Sequence, residues 1–76
     1  MDNKERVLQV IIDKTGLAME DLRDDAKFEE DLGCDSLDLI EVVLGLENEF
    51  GISIKDDQYD KVETVADLVN LVNSYD

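Results

Sequence analysis

The segment EEDLGCDSLDLIEVVLGLENEFGISI, residues 29–54, contains the strongest helical pattern in this chain. Its apolar side chains recur at the spacing of an α-helix from Ser36 to Phe50, and Gly51 is typical of the position just past a helix end. We therefore predict a helix over residues 36–50. The stripe of this helix predicted to face the core consists of Leu39, Val42, Val43, Leu46 and Phe50.

A second apolar stripe lies beside the first on the same predicted helix. Leu37, Ile40 and Leu44 form it, and Glu41 and Glu47 border it. The helix is therefore apolar over more of its circumference than one small core requires. Either a loop or another helix covers this stripe, or the stripe is an exposed docking face with an acidic rim.

Helical patterns also flank this segment. A first helix is predicted between Asn3, a candidate N-cap, and Gly16, a plausible stop. Residues 56–61 predict a short third helix, and Thr64 with Asp67 three positions later predicts the capped start of a last one. The apolar faces of the first and last helices consist of Val7, Leu8, Ile11 and Ile12, and of Val65, Leu68, Val69 and Val72.

The helical pattern lapses between Gly16 and Asp35, apart from a possible short turn around Glu20. A loop of this length in a compact domain is more often functional than idle. Its isolated apolar residues, expected to pin it to the core, are Leu17, Leu22, Phe28 and Leu32. We predict an all-α fold in a single domain, residues 1–76. This is a small four-helix bundle of three main helices and one short helix, with a long loop between helices one and two.

Composition excludes several classes of function. Twenty-one Asp and Glu residues against seven Lys and Arg residues give a formal net charge of −14, which repels nucleic acid and anionic lipid and favours basic protein partners. The acidity also serves solubility. The single cysteine, Cys34, forms no internal disulfide, and no apolar run is long enough to span a bilayer. The start MDNKERVLQV does not read as a signal peptide. We expect a cytoplasmic monomer without stable membrane insertion.

The residues that could have a chemical role cluster at Asp35-Ser36-Leu37, where the long helix begins. Gly33 allows the chain to turn sharply into the helix, and either Asp35 or Ser36 serves as its N-cap. Capping alone accounts for these residue types, so spacing by itself does not assign a function to the Ser36 hydroxyl.

The extended block over residues 29–54 resembles the signature of acyl carrier proteins, in which Asp-Ser-Leu opens the second helix. The similarity covers essentially the whole chain: the first helix, the long loop with Phe28 and its Glu-Asp-Leu-Gly, and the Val-Glu-Thr-Val-Ala-Asp-Leu segment at 62–68 match in order. The acidity and the Gly-x-Asp-Ser-Leu-Asp form are similar to the fatty-acid synthesis type.

This resemblance implies a carrier and not an enzyme. A holo-carrier synthase, which is a phosphopantetheinyl transferase, would move 4′-phosphopantetheine from coenzyme A to Ser36, flanked by Asp35 and Leu37. The arm's thiol would carry growing acyl chains as thioesters. The implied partners are the malonyl transferase, ketoacyl synthases, reductases and dehydratases of fatty-acid synthesis, meeting the carrier through basic patches.

The same resemblance implies two sets of binding residues. The partner surface would consist of Asp35, Leu37, Asp38, Ile40, Glu41, Leu44, Glu47, Asp56 and Asp57. An acyl pocket would be lined by Phe28, Val43, Leu46, Ile54, Val62 and Leu68. Each of the six lining residues is also explained as ordinary core.

Three residues depart from the family pattern. Cys34 replaces a usual small residue and permits a mixed disulfide with the arm's thiol. Lys55 stands where many members have proline, which predicts a looser third helix. Gly45 interrupts the second helix at a cost of about 1 kcal/mol relative to alanine, for no reason visible in the sequence.

The sequence bears on three other functions: an enzyme, a metal-binding module and a carrier of different cargo. The chain has no histidine, which excludes Ser-His-Asp and Cys-His catalysis. It has no EF-hand loop and no predicted metal ligands; as an acidic interaction module it would bind divalent ions only loosely, at Asp24-Asp25 and Asp56-Asp57. A peptidyl or D-alanyl carrier shares the modified serine, so amino-acid cargo is the main alternative to fatty-acyl cargo.

Overall fold

The computed structural model describes residues 3–75 and confirms the all-α bundle. Helix α1 spans Asn3–Thr15, α2 spans Ser36–Phe50, α3 spans Asp56–Tyr59 and α4 spans Val65–Asn73, with a 3₁₀ turn at Met19–Asp21. The bounds of α2 match the prediction. Helix α3 ends before the predicted Lys61, because the chain turns at Tyr59, whose carbonyl accepts a hydrogen bond from Val62 N–H at 3.0 Å.

The predicted apolar faces meet in one core. Helix α2 packs mainly against α1, and α4 closes the other side of α1. Asn3 is the first residue within α1 and not its cap. Of the predicted faces, Ile12, Leu39 and Phe50 are only partly buried. The other residues of the predicted faces are buried: Val7, Leu8, Ile11, Val42, Val43, Leu46, Val65, Leu68, Val69 and Val72.

The long first connection is pinned to the core and to the start of α4. Leu22 and Phe28 are buried. Backbone carbonyls of the connection accept hydrogen bonds from the first two amides of α4: Val65 N–H bonds to Ala26 O at 3.1 Å, and Ala66 N–H bonds to Asp24 O at 3.0 Å. The loop therefore supplies hydrogen-bond acceptors to two of the first α4 amides, which have no acceptor within their own helix.

Gly45 lies on the face of α2 that packs against α1. A Cβ at this position would lie 2.8 Å from Val10 Cγ1 and 2.9 Å from Lys14 Cε. The absence of a side chain thus permits the α1–α2 contact, which accounts for a glycine in the middle of a helix.

Helix α3 is held differently from the others, because none of its residues is buried. Two of its hydrogen bonds are local: Lys55 N–H donates to Gln58 Oε1 at 3.2 Å, and Tyr59 O–H donates to Asp56 Oδ1 at 3.2 Å. The helix is joined to the rest of the bundle by Tyr59, which is partly buried and packs against the core, and by the hydrogen bond that Tyr75 O–H donates to Gln58 Oε1. Across residues 3–75, no helix combines the length and apolarity needed to cross a bilayer.

Candidate functional site

The start of α2 is a closed capping box built by two aspartates. Asp38 N–H donates to Asp35 Oδ1 at 3.0 Å, and Asp35 N–H donates to Asp38 Oδ2 at 3.3 Å. Asp35 has an extended backbone and is the N-cap. This decides between the two candidate caps, and it makes Ser36 the first helical residue, with an exposed side chain that the cap does not use.

The loop before Ser36 is fixed by its own hydrogen bonds. Cys34 N–H donates to Phe28 O at 2.7 Å, which closes the segment from 28 to 34. Gly33 adopts a φ of +66°, and a Cβ there would meet nothing within 4 Å. The chain therefore turns into α2 through a left-handed glycine, with open space on that side of the turn.

A cavity of about 490 Å³ opens beside Ser36. Its apolar wall consists of Phe28, Leu39, Ile40 and Val62. The remaining lining residues are Lys27, Glu29, Glu30, Cys34, Asp35, Tyr59, Asp60 and Glu63. A smaller concavity of about 290 Å³, between Glu29 and Gly33, also includes Ser36. The exposed hydroxyl thus stands at a junction of two concave surfaces, one partly apolar.

A protein-family model described as a phosphopantetheine attachment site matches residues 5–72. The chain belongs to the phosphopantetheine attachment family. Members of this family are carriers that hold covalently bound 4′-phosphopantetheine and work with a phosphopantetheinyl transferase and partner enzymes. Such domains carry cargo and do not themselves catalyse.

The start of α2 fits what this phosphopantetheine carrier requires of an attachment residue. An attached group needs a nucleophilic oxygen that is accessible to a transferase and is not needed for the fold. Ser36 is exposed, and Asp35 performs the capping. The positive end of the α2 dipole lies at the same place and favours an anionic group.

The second apolar stripe of α2 is exposed in this carrier. Leu37 is 72% exposed, Leu44 is 58% exposed and Ile40 is 37% exposed. The interpretation that a loop or helix covers the stripe is therefore wrong. Glu41, on the same helix, and Asp56 and Asp57, at the start of α3, are exposed as well.

Two acidic residues of the predicted partner surface also hold the fold together. Asp38 completes the capping box, as described above. Glu47 Oε2 accepts a hydrogen bond from Ile54 N–H at 2.8 Å and is half-buried. These carboxylates are therefore less free to meet a partner than that of Glu41.

The six predicted pocket residues divide into two groups. Phe28 and Val62 line the cavity. The remaining four lie in the core and are not part of the cavity wall: Val43, Leu46, Ile54 and Leu68. Sequence reasoning did not assign Lys27 and Tyr59 to this site, although Lys27 adjoins the anchored Phe28.

Cys34 adjoins the site, but its thiol has low reactivity. Its side chain is 5% exposed. Burial raises the pKa of the Cys34 thiol, and the nearby carboxylates of Asp38 and Asp35 raise it further. The thiol is therefore protonated at neutral pH and is a poor nucleophile.

Proposed function

We propose that Ser36 carries the 4′-phosphopantetheine arm and that this protein carries fatty-acyl chains between the enzymes of fatty-acid synthesis. The supporting observation is the exposed Ser36 side chain at the first position of α2, unused by the cap and next to the cavity. Bound there, 4′-phosphopantetheine supplies a terminal thiol that holds acyl groups as thioesters.

The chain's own residues prepare this position in two ways. Asp35 caps α2, so Ser36 is available without loss of helix stability. The amino end of α2 stabilises an anion on the serine oxygen through its dipole. Together these residues make Ser36 a rigid and electrostatically favourable anchor.

The cavity wall supports an apolar cargo. Phe28, Leu39, Ile40 and Val62 provide an apolar surface next to Ser36. The four core residues predicted to line a pocket would be reached if α2 and α3 separate. That separation would withdraw the partly buried Tyr59 from the core and break the Tyr75–Gln58 hydrogen bond, but α3 has no buried residue to expose.

The exposed stripe supports docking on basic partners. Leu37, Ile40 and Leu44 would provide apolar contact, and the carboxylates around them would meet Lys and Arg side chains of the transferase and synthesis enzymes. Such rim ion pairs raise association rates and weaken with salt, which suits a carrier that must leave each partner quickly. We infer a cytoplasmic location, which a lone reduced cysteine suits.

The decisive experiment is intact-mass analysis of the purified protein before and after treatment with coenzyme A and a broad-specificity phosphopantetheinyl transferase. The expected result is a gain of one phosphopantetheine group in the wild type and in the matched control Ser53→Ala, whose serine is also exposed. Ser36→Ala should gain nothing. A folded, unmodified wild type that gains nothing with several transferases would overturn the proposal.

One observation favours amino-acid cargo as a second candidate. Five carboxylates line the cavity and would attract the ammonium group of an aminoacyl thioester. Mass analysis of the loaded protein distinguishes the two cargoes. Acylation by a malonyl transferase, and none by amino-acid adenylating ligases, supports fatty-acid synthesis; the reverse result supports an amino-acid carrier.

A further inference from the structure

One basic side chain lines the cavity next to Ser36. The chain has seven Lys and Arg residues, and among those the structure describes, only Lys27 contributes to the lining. The other charged lining residues are the carboxylates of Glu29, Glu30, Asp35, Asp60 and Glu63. A phosphodiester on Ser36 would add negative charge to this acidic neighbourhood. A nearby cation would offset the repulsion between the phosphate and the carboxylates.

The backbone of Lys27 is held rigidly alongside the start of α2. Its carbonyl accepts hydrogen bonds from Asp31 N–H at 2.9 Å and from Leu32 N–H at 3.0 Å, and its N–H donates to Asp31 Oδ2 at 2.8 Å. The next residue, Phe28, accepts the 2.7 Å hydrogen bond from Cys34 N–H. These bonds bring the 27–28 segment next to 34–36, so Lys27 and Ser36 line one cavity.

The side chain of Lys27, in contrast, is weakly held. Its Nζ lies 3.5 Å from Glu30 Oε2, and the two side chains are 48% and 72% exposed. An exposed ion pair of this kind contributes little and is readily exchanged for a better partner. A phosphate oxygen, which forms strong charge-assisted hydrogen bonds with an ammonium group, is such a partner.

We propose that Lys27 binds the phosphate of the arm on Ser36, leaving Glu30 when the group is attached, and so positions the root of the arm at the cavity mouth. This inference rests on the proposed function. Lys27 is a positioning residue: it fixes the phosphate, while the thiol at the far end of the arm remains free to move.

The test compares wild type, Lys27→Gln and Lys61→Gln, each loaded with phosphopantetheine and checked by intact mass. Lys61 is the matched control, because it is exposed and is not part of the cavity lining. The readout is the ³¹P chemical shift of the phosphodiester relative to its value in the urea-unfolded loaded protein. We expect a folded-state shift in the wild type and in Lys61→Gln that is largely lost in Lys27→Gln.

Two further measurements separate phosphate binding from a structural effect. Lys27→Arg keeps the cation and should restore the ³¹P shift, and high salt should reduce the wild-type shift. In ¹⁵N spectra of lysine side chains, the Lys27 Nζ resonance should move on loading while that of Lys61 stays. Equal ³¹P shifts in wild type and Lys27→Gln would overturn the inference alone, whereas failure of Ser36 to load would overturn the proposed function with it.

Discussion

Helices α2 and α3 flank the same cavity but are held in opposite ways. Helix α2 has a complete capping box, a left-handed glycine at its end and three fully buried core residues. Helix α3 has four residues, none of them buried; the partly buried Tyr59 packs against the core, and Gln58 accepts a hydrogen bond from Tyr75. One wall of the cavity is therefore anchored by three buried side chains, and the other by one partly buried aromatic ring and hydrogen bonds that water can replace. We expect the cavity to open on the α3 side.

The largest expected effect comes from breaking the anchored wall. Leu46 is fully buried on α2, so Leu46→Ala should lower the free energy of unfolding by about 2–5 kcal/mol, because it leaves a cavity in the core. Urea denaturation followed by far-UV circular dichroism measures this. Leu44→Ala, on the exposed face of the same helix, is the control and should change stability by less than about 0.5 kcal/mol. Similar losses in both variants would contradict the assignment of the core face.

Gly45→Ala tests the close approach of α1 to α2. The added methyl group meets Val10 Cγ1 and Lys14 Cε, and overpacking should outweigh the gain in helix propensity, for a net loss of about 1–2 kcal/mol. Thermal or urea denaturation gives the value. In a Val10→Ala background the same substitution should be neutral or stabilising, since the obstructing methyl group is gone. A more stable Gly45→Ala single variant would refute this account of the glycine.

Glu47 on α2 connects the two walls of the cavity, because it accepts a hydrogen bond from the Ile54 amide, which lies just before α3. Glu47→Ala should destabilise the protein by about 1–2 kcal/mol, because it leaves that amide without its acceptor. Glu47→Gln removes the charge but keeps an acceptor, and it should stay near wild type in the same denaturation experiment. If the two variants are equally destabilised, charge and not hydrogen bonding explains the role of Glu47.

The smallest effect on stability is expected at α3, the less firmly held wall of the cavity. Tyr75→Phe removes the hydroxyl that donates to Gln58 on α3 and should reduce global stability by no more than about 1 kcal/mol. Amide hydrogen exchange should nevertheless accelerate in α3 while α2 amides keep their protection. Uniform acceleration along the chain would show that α3 does not open independently of the bundle.

Much of this architecture could be predicted from residues that act locally. Gly51 and Thr64 mark helix boundaries through their own backbone and side-chain preferences, and both boundaries are where the sequence indicates. The role of Gly45 could not be predicted, because it depends on which α1 residues lie opposite. The same holds for Glu47, whose amide partner depends on the path of the loop to Ile54.

The candidate site shows the same division. The turn at Gly33 and a capped helix start were readable from residue types alone, and the resemblance added Ser36 as the attachment residue. Phe28 and Val62, which were predicted to line a pocket, line the cavity. The rest of its apolar wall could not be predicted, because apolar residues such as Leu46 and Leu39 look alike in a sequence. Only the packing of α2 against its neighbours leaves Leu39 at the cavity and encloses Leu46.

The placement of the helix cap on Asp35 separates folding of the protein from its modification. Because the cap of α2 uses Asp35 and not the Ser36 oxygen, we expect the polypeptide to fold without a prosthetic group on Ser36. A transferase that modifies Ser36, as proposed, would then meet an already folded substrate, and the protein would keep its fold without the arm.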